Sequence, residues 1–77
     1  MDEEIQALNQ IIAMVDTKAA KYQDEMRDMP KARAAAEKKL ILDLIDDGLK
    51  LANNMQFKPH EVIQDLERLE ARFKRMA

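Results

Sequence analysis

Ile5, Leu8, Ile12, Val15, Ala19, Tyr22, Met26 and Met29 succeed one another at steps of three and four. In an α-helix this spacing sets side chains on one narrow stripe, and such a stripe is stable only when other helices cover it. The pattern predicts a first helix over about residues 2–28, with Ala7 and Met14 widening its apolar face. Asp2, Glu3 and Glu4 fall in its first turn, where carboxylates favour the positive end of the helix dipole. Pro30 supplies the break: it disfavours helical geometry at Met29, has no amide donor, and its fixed φ suits the start of another helix.

A second helix is expected over about residues 31–53. At about 100° per residue, Leu40, Leu44 and Leu51 fall together, Ile41, Ile45 and Ala52 lie beside them, and Leu42 and Leu49 follow. The resulting arc, roughly 200° wide, can touch two neighbours at once, which makes this the central helix. Gly48 stands within the arc, where a missing side chain permits close approach at a cost of about 1 kcal/mol in helix propensity. Asn53 and Asn54 should end the helix, because asparagine tolerates the left-handed conformation of a helix terminus.

The third helix, about residues 59–76, repeats the rhythm at Val62, Leu66, Leu69, Phe73 and Met76, with Ile63 alongside. Pro59 suits its first position, Glu61 can serve a capping box, and Phe57 and Val62 stand at the spacing of a hydrophobic staple. Arg72, Lys74 and Arg75 complement the negative end of its dipole.

Short connectors make successive helices antiparallel, so the pattern specifies an all-α fold: a three-helix up-down-up bundle, or an antiparallel helical assembly, in one domain over residues 1–77. The shorter third helix should start beside the N-terminal end of the first and run out near Tyr22. Met26 and Met29 then either project as an overhang that a partner covers or pack on Ala32, Ala35 and Ala36 across the turn. Methionine adapts well to imperfect surfaces. Met14, Tyr22, Met26 and Met29 are therefore the candidate partner-binding residues, and dimerisation is expected to complete the bundle.

Composition narrows the picture further. Valine and threonine occur only at Val15, Thr17 and Val62, and aromatic residues only at Tyr22, Phe57 and Phe73, so a sheet has little to be built from. Chains shorter than about 70–80 residues seldom bury enough apolar surface alone. With no cysteine and a single histidine, this 77-residue chain has no disulfide or thiolate-zinc framework to help it. A net charge of −2 gives no global attraction to nucleic acid or anionic lipid. The acidic N-terminus and an apolar run no longer than Ile11 to Val15 fit neither a secretory leader nor a membrane span, and a cytoplasmic chain is expected.

Candidate chemistry is sparse. Asp43, Asp46 and Asp47 share a helix face but offer too few oxygens to cage a hard cation, and Lys39 and Lys50 lie at ion-pair spacing from them. His60 neighbours Glu61 with no second group to orient it and no nucleophile in view. No catalytic residue, metal ligand or cofactor-binding residue is assigned. Arg27, Lys31, Arg33, Lys38 and Lys39 outnumber Asp28 and Glu37 around the first turn, a conceivable nucleic-acid contact that lacks aromatic residues for base stacking. The expected function is a non-enzymatic helical protein–protein interaction module. It would serve as an adaptor, regulator, inhibitor or chaperone-like factor, dimerising and binding another protein through apolar helix faces. The alternative is a small nucleic-acid-binding regulator using the basic turn at 27–39.

Overall fold

The structure, a computed structural model, describes residues 3–75 and consists over that range of three helices: α1 (Glu3–Glu25), α2 (Lys31–Asn53) and α3 (His60–Arg75). Asp2 and Met76, expected at the outer ends of the first and third helices, lie outside the described residues. The helices form an elongated bundle of 42 × 20 × 16 Å in which α2 packs on both α1 and α3. Among the described residues, no Cα of α1 lies within 8 Å of a Cα of α3.

α1 stops a turn short of the expected end. The amide of Met26 still reaches the Tyr22 carbonyl at 2.8 Å, but that of Asp28 closes on Glu25 at 3.0 Å, an i to i+3 tightening. Pro30 explains the early exit, since its ring disfavours helical geometry in the residue before it. Its own carbonyl then accepts from the Ala34 amide at 2.9 Å, and α2 begins.

Two expectations about helix ends need correction. Asn54 closes α2 in the right-handed region, at φ −95° and ψ −2°, and no described residue has a positive φ. The asparagines act instead through their side chains: Asn53 Nδ2 donates to the Leu49 carbonyl at 2.9 Å and Asn54 Nδ2 to the Lys50 carbonyl at 2.8 Å. These side-chain donors reinforce a last turn whose backbone is already closed, the Asn54 amide reaching the Lys50 and Leu51 carbonyls at 3.2 Å, so no left-handed residue is required. The hydrophobic staple does not form either. Phe57 is 83% exposed, and α3 begins at His60, with Pro59 supplying the carbonyl that the Ile63 amide meets at 3.0 Å.

The core contains Leu8, Val15, Ala19 and Tyr22 from α1, Ile41, Ile45 and Ala52 from α2, and Leu66 and Phe73 from α3. No polar or charged residue among those described is buried. On α2 the buried positions Ile41, Ile45, Gly48 and Ala52 recur at steps of four and three, a single seam along the middle of the wide arc. Leu42, Leu44 and Leu49 flank that seam against the core, whereas Leu40, at the edge of the arc, remains exposed.

Gly48 is the crossing point of the bundle. A Cβ placed there would come within 3.2 Å of both an Ile11 methyl from α1 and a Leu66 methyl from α3. Leu66 Cδ1 is the end of a flexible side chain, whereas Ile11 Cγ2 sits on a stiff β-branched carbon, so one methyl group is admitted only if α1 gives by a few tenths of an ångström. The gain in helix propensity, about 1 kcal/mol, then offsets the crowding. Gly48→Ala is expected to leave stability within about 1 kcal/mol of the parent, whereas Gly48→Leu should lose about 2 kcal/mol or more by wedging α1 and α3 off the seam. Urea titration followed by helical circular dichroism reads both.

Candidate functional site

Tyr22 and Phe73 fix the relation between the outer helices. Their rings meet at 5.6 Å between centroids and 54° between planes, so α3 draws level with Tyr22 at its C-terminal end. Towards the opposite end, Ile11 and Leu66 meet over Gly48. Between and beyond these contacts both helices lean on α2, and a long groove of about 690 Å³ opens between them.

The floor of the groove is apolar. Ile12 forms it from α1, and Val62, Leu66 and Leu69 form it from α3. Ile12, Val62 and Leu69 are half-buried, because each stands at the edge of its stripe, turned partly from α2. Ile5, 49% exposed, lies two turns before Ile12 on the same face of α1 and prolongs the apolar strip.

The two walls differ in charge. Asp16 stands on the α1 side, while α3 presents Asp65, Arg68, Arg72 and Arg75. Arg68 and Asp65 form an exposed pair at 3.7 Å, which contributes little by itself. Arg72, Arg75 and Asp16 make no ion pair with any described residue.

The four residues singled out for partner binding are dispersed. Tyr22 is only 2% exposed and belongs to the core. Met26 and Met29 are half-buried and pack against that core, joined there by Ala34, while Ala32, Ala35 and Ala36 face solvent. Met14, 44% exposed, sits over a shallow hollow with Thr17, Lys18 and Lys21, on the flank of α1 away from the groove. The stripe therefore does not project bare beyond α3.

Of the basic residues around the first turn, Arg27, Lys31, Arg33 and Lys39 are exposed and Lys38 is half-buried. No ion pair joins Lys39 to Asp43. Asp46 does pair with Lys50 at 3.0 Å; this hydrogen bond and the charge of Asp46, followed by that of Asp47, raise the lysine above its ordinary pKa. No group of three or more histidine, cysteine, aspartate or glutamate side chains among the described residues is arranged to hold a metal ion. No described helix is long and apolar enough to cross a membrane.

The apolar lining was visible in the sequence as stripe positions, but the wall was not. Arg68, Arg72 and Arg75 recur at steps of four and three beside Leu69, a flank pattern that also describes an ordinary solvated face. No protein-family model, curated protein or solved structure matches the chain.

Proposed function

We propose that the protein is a non-enzymatic helical interaction module whose groove between α1 and α3 receives the apolar face of a further helix. The observation that carries this reading is the groove itself: a floor of Ile12, Val62 and Leu69 left half-open between two helices whose backbones stay apart. Helix-in-groove recognition draws affinity from such apolar positions at three-four spacing, and flanking charges penalise wrong registers. On this reading the partner docks on the α1–α3 face rather than at the methionine-bearing end. An adaptor, regulator, inhibitor or chaperone-like factor is the matching class of activity.

Photo-crosslinking from position 69 in the cells that make the protein tests the reading. Discrete adducts should form, and Leu69→Glu with the crosslinker at position 62 should abolish them. Adducts that are absent, or indifferent to the glutamate, would refute it.

A second reading, a small nucleic-acid-binding regulator, draws on the exposed Arg27, Lys31, Arg33 and Lys39. Salt separates the two. Phosphate contacts weaken steeply as ionic strength rises, whereas apolar helix docking persists.

A further inference from the structure

We infer that the occupant of the groove is a second copy of this chain, related by a two-fold axis running along the bundle, so that α1 of each copy packs on α3 of the other. The inference rests on the groove being a docking surface for a helix and names what docks there.

Surface area is the first argument. A compact monomer of this mass, 8.9 kDa, ordinarily exposes about 4800 Å². This chain exposes 5785 Å². The excess, roughly 1000 Å², compares with the ~800 Å² that each partner buries in a stable complex of ordinary size. The open α1–α3 face, with Ile5, Ile12, Val62 and Leu69 incompletely covered, offers apolar surface for that burial.

Charge supplies the orientation. In a two-fold contact a face meets itself, so a patch of one sign repels its own copy and a patch carrying both signs at separate positions can match. The heights of the charges follow from contacts within the chain. Ile11 and Leu66 share the level of Gly48, and Tyr22 shares the level of Phe73. Asp16, midway between Ile11 and Tyr22, therefore stands level with the stretch from Arg68 to Arg72.

Two rotations bring the face onto itself. An axis across the helices inverts height and sets α1 on α1 and α3 on α3, so that Asp16 opposes its own copy while Asp65 comes opposite the arginines of α3. An axis along the bundle preserves height and exchanges the walls, so Asp16 meets Arg68 and Arg72 of the second copy, twice by symmetry. Met26 and Met29, half-buried, pack against the core.

Sedimentation equilibrium of the purified full chain, from micromolar to millimolar, tests the inference, with helical circular dichroism confirming that each variant folds. The expected result is twice the single-chain mass at the upper concentrations. Leu69→Glu should leave a monomer. Asp16→Arg and Arg72→Asp should each raise Kd by about tenfold or more, and their combination should recover most of that loss. A single-chain mass at millimolar concentration overturns the inference, as does a dimer indifferent to Leu69→Glu or one whose charge variants show no mutual rescue. If the purified chain remains single while crosslinks from position 69 persist in cells, the second copy is refuted and the docking groove stands. If both fail, both proposals fall.

Discussion

Phe73→Ala should cost about 3–5 kcal/mol, the range for emptying a fully buried aromatic site. Phe73 has no exposed surface, and its ring lies against Tyr22. Since the backbones of α1 and α3 stay apart, this ring pair carries contact between the outer helices at that end. Truncation removes the ring's buried area, leaves a cavity against Ile41 and Ile45, and forfeits the aromatic pair, itself worth about 0.5–1.5 kcal/mol. A domain of this length has a total stability of about 4–12 kcal/mol, so the substitution removes from about a quarter to all of it. Urea unfolding at a protein concentration low enough to exclude association measures the loss. A cost below about 1.5 kcal/mol would mean that the site collapses without strain, contrary to the packing described.

Ile41→Ala and Leu40→Ala form the second large contrast. The two residues are adjacent in sequence, yet Ile41 is wholly buried and Leu40 is 51% exposed. Removing three methyl or methylene carbons from Ile41 should cost about 2–5 kcal/mol, because the seam of α2 is covered from two sides and cannot relax towards either helix without losing the other. Leu40→Ala should fall within about 0.5 kcal/mol of the parent, aided by the better helix propensity of alanine. The ratio is the informative quantity. Comparable costs at both positions would mean that α2 is rotated by a residue about its axis.

The elements legible in the sequence are those that a three-four period governs. The end of α3 near Tyr22, the central place of α2 and the close approach at Gly48 follow from stripe positions and helix lengths, and the structure shows all three. What was not legible depends on distances between helices whose backbones stay apart. Periodicity gives the angle of Ile12, Leu69 or Arg72 around its own axis, but the α1–α3 gap depends on how both outer helices lean on the Ile41–Ile45–Gly48 seam. Leu40 shows the same limit from the other side: its angle places it on the apolar arc, and only the reach of the neighbouring helices leaves it in water. Phe57 and Asn54 depart from expectation for a local reason. Their types fit standard terminal motifs, but right-handed backbone bonds reinforced by two side-chain amides close α2, and the connector to Pro59 runs without drawing Phe57 inward.

Because α1 packs on α2 and α2 on α3, with no backbone approach between first and last, each helix pairing joins consecutive segments of the chain. Loops of this length close at small entropic cost, and topologies built from neighbouring segments have low contact order and fold fast. On the ribosome, the first helical hairpin can therefore dock as soon as its second arm has emerged, presenting the ready-made seam of Ile41 and Ile45 as a template on which the last segment condenses.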